Sequence, residues 1–181
     1  MHTPPLVLRA QELARSLGFT RSCTDETGRL LHVLAAERGR GRVGELGTGT
    51  GVGAAWIVSA LEPTATFVTV EVDAERAAAA AELFRDDENV RVLAGDWHEL
   101  MPAEAPFDLV FLDSGKTRPD LDGEQVIGLL APRGLVVMDD LRDGRPALDV
   151  IRAFWLQHPR LAAVELAVSD EESVILAART H

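Results

Sequence analysis

Two kinds of hydrophobic spacing divide the chain near residue 42. Before that point, apolar residues recur every three or four positions, the spacing of one helix face. Leu6, Val7 and Leu8 open such a run, which reaches Leu17 and stops at Gly18. A second run follows a cap at Thr24 or Asp25, carries Leu30, Leu31, Val33 and Leu34, and ends before Gly39. From Val43 the pattern changes to short apolar runs alternating with helical segments. Strands are predicted near 42–47, 66–72, 90–95, 107–113 and 134–140, with helices near 51–61, 74–85, 98–101 and 120–130. Asp73 caps the Ala-rich segment, and Pro146 starts a further helix over Ala147–Gln157 that His158-Pro159 ends. Strands alternating with helices imply a parallel sheet with right-handed crossovers. The end differs: Leu161–Val168 and Ser173–Ala178 flank the acidic turn 169–172 and should pair as an antiparallel hairpin.

Composition narrows the class. At 181 residues, 46% of them hydrophobic, the chain suits one domain, with N-terminal helices over 1–40 and an α/β core over 41–181. No apolar run approaches a membrane span, and no basic stretch followed by an apolar one opens the chain, so a cytoplasmic protein is expected. The formal net charge of −11 disfavours a broad nucleic-acid footprint, and the short basic connector Arg38–Arg42 is too brief to reverse it. Cys23 is the lone cysteine, so there is no internal disulfide. Among 18 Lys and Arg residues, Lys occurs once, at Lys116. Unlike Arg, Lys can lose its proton and act as a base, which makes this position a candidate for chemistry.

The candidate chemistry gathers where strands turn into helices. Four glycines fall in seven residues at 47, 49, 51 and 53, more than a tight turn requires. This loop lets backbone approach a ligand, and Gly49–Ala54 also fits a loose dinucleotide pattern. Glu71 ends the second strand, where an acid accepts hydrogen bonds from ribose hydroxyls in either ligand class. Glu45, two residues before the first glycine, suits a cationic or amine-bearing ligand and would repel a pyrophosphate. After the third strand, Asp96 is placed to accept from an adenine amino group and Trp97 to form a flat apolar wall. The competing reading makes Asp96 a helix cap and Trp97 ordinary core.

Two further strands end in carboxylates, at Asp113 and at Asp139-Asp140. In an open α/β sheet these ends border the ligand crevice, so the three acids share a rim with the glycine loop. Close carboxylates repel unless a cation joins them, and hard oxygen ligands suit Mg²⁺, Ca²⁺ or Mn²⁺. Otherwise the acids cap helices or face water. Lys116 lies three residues past Asp113; a nearby divalent cation would favour its neutral amine, whereas without one a salt bridge is the simpler role.

Together these residues resemble the cation-dependent O-methyltransferases, the group containing catechol and caffeoyl-coenzyme A O-methyltransferases. The resemblance runs from about Thr24 to the C-terminus and is most specific at Glu45–Gly53, Phe107–Lys116 and Gly134–Gly144. It implies an α/β fold: a Rossmann-like, seven-stranded, mostly parallel sheet with helices on both faces and a C-terminal antiparallel hairpin. It implies S-adenosyl-L-methionine as cofactor, held by Glu45, Gly47, Thr48, Gly49, Gly51 and Glu71, with Asp96 and Trp97 near adenine and Asp113 bordering cofactor and metal. It places Asp113, Asp139 and Asp140 at metal-ligand positions, with Mg²⁺ the expected ion, and Lys116 at that of the catalytic base. The expected acceptor is a small hydroxyl-bearing molecule, a diol or catechol-like compound, and a C2 homodimer is the default assembly. Asp140 stands where the family usually has Asn, and no Tyr follows Lys116. Two other classes stay open: a metal-independent or tRNA-base methyltransferase on the same fold, and a nicotinamide-dependent oxidoreductase or nucleotide-binding module.

Overall fold

The computed structural model describes residues 2–37, 39–113, 122–141, 146–170 and 172–181, with the backbone alone described at 140, 146 and 147. The chain opens with helices α1 (Pro5–Ser16) and α2 (Asp25–Ala35). Thr24 is the cap of α2, its hydroxyl accepting from the Thr27 amide at 3.4 Å. There follow β1 (Arg42–Leu46), α3 (Val52–Val58), β2 (Thr66–Glu71), α4 (Ala74–Leu83), β3 (Val90–Ala94), α5 (Trp97–Leu100) and β4 (Phe107–Leu112). The remainder is α6 (Asp122–Leu129), β5 (Leu130–Leu141), α7 (Pro146–Gln157), β6 (Leu161–Ala167) and β7 (Ser173–Arg179).

One seven-stranded sheet has the order β3-β2-β1-β4-β5-β7-β6. The first five strands are parallel, and β7 runs antiparallel between β5 and β6. This is the expected Rossmann-like arrangement with its terminal hairpin. Strand β5 starts earlier than the apolar pattern suggests. Leu130 already pairs with Phe107, and the register shifts before Leu109 meets Leu135, with Arg133 at φ 66 in between. The polar and small residues in that irregular stretch hide the strand from an apolar-run reading.

Side-chain alternation along each strand builds two cores. Val43, Phe67, Leu109, Phe111 and Val137 face α1, α2 and α3 and pack with Leu31 and Trp56. Leu46, Val68, Val70, Val110, Leu112 and Met138 face the other way, where Trp97, Ile127 and Trp155 cover them. Burying each large apolar side chain contributes roughly 1.5–3 kcal/mol. Helix α2 docks closely because residue 28 is Gly, where a Cβ would lie 2.2 Å from Trp56 Nε1.

Candidate active site at the carboxyl edge of the sheet

Strand register aligns the functional positions in one row. Val70 pairs with Leu46, Leu46 with Leu112, and Leu112 with Met138. The next residue on each strand is therefore Glu71, Gly47, Asp113 and Asp139, spaced about 4.8 Å apart from strand to strand. All four are in phase with Phe67, Val43, Phe111 and Val137, on the face covered by α1, α2 and α3. The strand order reverses between β1 and β4, which opens a ligand crevice at this edge. Backbone bonds hold the row: the Asp113 amide donates to Leu46 O at 3.0 Å, and the Gly47 and Thr48 amides donate to Val70 O at 3.0 and 3.1 Å.

The glycine loop takes conformations open to Gly, with φ of 100°, 54° and 89° at Gly47, Gly49 and Gly51. It is pinned from the side by Glu71. One carboxylate oxygen, Oε2, accepts from the Gly49 amide at 2.8 Å; the other, Oε1, accepts from the Asp73 amide at 2.9 Å and from Arg76 at 2.8 Å. Glu71 is only 5% exposed. An ionised carboxylate has about four acceptor sites, and these bonds occupy three of them. Arg76 also pairs with Asp73, which caps α4 as expected. The Arg76 guanidinium lies over the ring of Phe19, and Phe19 in turn sits against Gly49.

Glu45 lies beneath the loop. Its Oε2 accepts from Thr69 at 2.6 Å, and Thr69 is 2.5 Å from the Thr48 hydroxyl. Because the Thr69 proton goes to Glu45, Thr48 donates to Thr69. The other oxygen, Oε1, is buried against Gly53 and Phe111 and has no hydrogen-bond partner among the described residues. Burial, above all, raises this carboxyl to about 8; Glu71 adds to the rise, while the Thr69 bond and the nearby Ala54 amide, short of bonding geometry, oppose it. Glu45 therefore binds a proton in the folded protein that the unfolded chain gives up above 4.5. That contribution to stability is complete below the unfolded value and is lost as pH climbs towards 8. Thermal unfolding followed from about pH 5 to 8 should show a Tm that falls less steeply in Glu45→Gln than in the unaltered chain. Identical slopes would mean that Glu45 is ionised throughout.

Past β3, Asp96 caps α5: its Oδ1 accepts from the His98 amide at 2.9 Å. Trp97 is 8% exposed and belongs to the core, its ring stacked on His98 at 3.7 Å. So the capping and core roles are both present at this pair, and Asp96 is exposed enough to meet a ligand as well.

On the other side of the crevice, the Thr27 hydroxyl donates to Asp139 Oδ1 at 3.4 Å. Asp113 and Asp139 both act on the thiol of Cys23, which is raised well above its usual range by burial first and then by these two acids, Glu45 and Asp25. The residue as a whole is half-buried. Two adjacent carboxylates give a hard oxygen donor set that fits a divalent cation. Among the described residues no three His, Cys, Asp or Glu side chains form a metal-binding group. The Asp140 side chain and Lys116 lie outside the described residues.

Sequence reading missed Thr27, Arg76 and His98. Thr27 and His98 reach across the fold, whereas Arg76 pairs with its near neighbours Glu71 and Asp73; only the Asp-Trp-His run at 96–98 offered a local signal.

Comparison with known proteins agrees with this geometry. A methyltransferase domain family model matches residues 45–141, from Glu45 through the end of β5. A protein of Mycobacteroides abscessus named as an O-methyltransferase is 32% identical over 152 residues, covering 80% of this chain and 69% of that protein. A Mycobacterium tuberculosis protein named likewise is 31% identical over 136 residues, 71% of this chain and 60% of its own length. Among solved structures, the O-methyltransferase TomG of Streptomyces achromogenes, in complex with S-adenosylmethionine, superposes with a TM-score of 0.82 at 22% identity, covering 99% of this chain and 92% of TomG. The Bacillus cereus O-methyltransferase in complex with S-adenosylhomocysteine gives 0.83 at 19% identity, over 99% of this chain and 92% of that one. No helix among the described residues is long and apolar enough to cross a membrane. With its glycine loop, Glu71 and the carboxylate row all inside the matched segment, the chain belongs to the methyltransferase-domain family and groups within it with the O-methyltransferases.

Proposed function

We propose that this chain is a single-domain S-adenosylmethionine-dependent enzyme that methylates a hydroxyl of a small diol or catechol-like acceptor with the help of a divalent cation. The observation that carries this reading is the register-aligned row of Glu71, Gly47, Asp113 and Asp139. It sets a ribose-type acceptor, a close-approach glycine loop and two hard oxygen donors side by side.

In this reading the cofactor supplies an electrophilic methyl group on sulfur. The loop from Glu45 to Gly51 and Glu71 hold it, Asp96 accepts from adenine, Trp97 walls the base, and Asp113 lies between cofactor and cation. Burial favours the neutral form of Glu45, and a positively charged ligand above it would favour the anion. Asp113, Asp139 and Asp140 would hold the cation, which lowers the pKa of a bound hydroxyl and orients vicinal oxygens. Thr27 fixes the rotamer of Asp139. Lys116 takes the hydroxyl proton, and holding both reactants in one crevice supplies much of the rate.

Transfer of labelled methyl from S-adenosylmethionine to catechol is the direct assay. Activity should fall by at least about 100-fold on chelation and return with Mg²⁺. Undiminished transfer in the presence of chelator would make the enzyme metal-independent.

A further inference from the structure

A histidine outside the residues assigned so far joins two parts of this site. His98 presents one ring nitrogen to each of two carboxylates: Nδ1 lies 2.7 Å from Asp96 Oδ1, and Nε2 lies 3.0 Å from Asp122 Oδ1. Its amide donates to the same Asp96 oxygen at 2.9 Å, and its carbonyl accepts from Gln125 of α6 at 3.0 Å. Asp96 is thus gripped entirely through Oδ1; among the described residues no hydrogen bond uses Oδ2. Asp122 is the first residue of α6, directly after the segment that carries Lys116.

We propose that His98 is a positioning residue for the cofactor: by bridging Asp96 to Asp122 it aims Asp96 Oδ2 at the adenine amino group and ties that rim to the start of α6. The proposal rests on the assignment of Asp96 to adenine made above. A ring with a carboxylate at each nitrogen satisfies both only when both nitrogens carry protons. The histidine is raised above 6.5 accordingly; burial, the largest single influence, lowers it, but the bonds to Asp122 and Asp96 together outweigh that. The charged groups bonded to the ring are Asp96 at the head of its own helix and Asp122 from α6; Trp97 stacks on its face. Above its pKa the ring keeps one of the two bonds, so the side-chain bridge from Asp96 to Asp122 opens and Asp96 is held less tightly, with the His98 amide and the Gln125 bond to α6 remaining.

The test uses two ligands, S-adenosylhomocysteine and S-inosylhomocysteine, in which oxygen replaces the adenine amino group. Calorimetry on the full chain should show the unaltered protein preferring the first by about tenfold or more, the worth of one charge-assisted hydrogen bond. His98→Leu should lose most of that preference, and its KM for S-adenosylmethionine should rise by a larger factor than its kcat falls. Asp122→Asn, which removes one anion but keeps its shape, should lower the histidine pKa read from the ring proton resonance, and it should move the loss of discrimination to lower pH. Wild-type preference retained in His98→Leu, or a ring resonance that Asp122→Asn does not shift, would overturn the proposal. Failure of the unaltered chain to bind either ligand would instead overturn the cofactor assignment beneath it.

Discussion

Lys116→Met should lower methyl transfer to catechol by about 10²–10⁴-fold, the usual worth of a positioned general base, while leaving S-adenosylhomocysteine affinity close to its starting value. Met keeps the length and apolar stem of Lys but has nothing to accept a proton. Lys116 is the one lysine among the 18 Lys and Arg residues, and each of the others is an Arg that stays protonated. In sequence it follows Asp113, the residue after β4, by three positions. In the proposed mechanism a divalent cation on Asp113 and Asp139 would favour the free amine of Lys116. The rate of the unaltered enzyme should therefore rise with pH as the amine is freed. Full activity in Lys116→Met would remove the residue from the mechanism.

Much of this site is legible in the sequence because parallel strands hold neighbours in register. Once Glu71, Gly47, Asp113 and Asp139 are each read at the carboxyl end of a strand, the sheet itself lines them up. The caps at Thr24 and Asp73 are local chemistry and read equally well. What escapes is set by packing between distant elements. Thr27 meets Asp139 across 112 residues, and His98 meets Asp122 across 24. Glu45 shows the limit from the other side. Its spacing before the glycines marks it as an acid near the ligand, but strand alternation turns its side chain under Gly53, where burial favours the neutral carboxyl. In β5, the positive φ of Arg133 and the shifted register obscure a strand start that an apolar pattern places several residues later.

Glu71→Ala should weaken S-adenosylhomocysteine binding by about 30- to 150-fold, from the loss of roughly 2–3 kcal/mol in charge-assisted hydrogen bonds. Two effects add. In the proposed mode of binding the ribose loses its acceptor, and the Gly49 amide loses the oxygen that pins the glycine loop. Arg76 keeps Asp73 as an ion-pair partner, so the helix it belongs to should stay folded. The unaltered protein in the same calorimeter gives the most direct test of the whole account. Titrated separately with S-adenosylhomocysteine and with NAD, it should bind the first at micromolar strength and show no heat with the second. Micromolar binding of NAD with none of S-adenosylhomocysteine would contradict the account at its foundation.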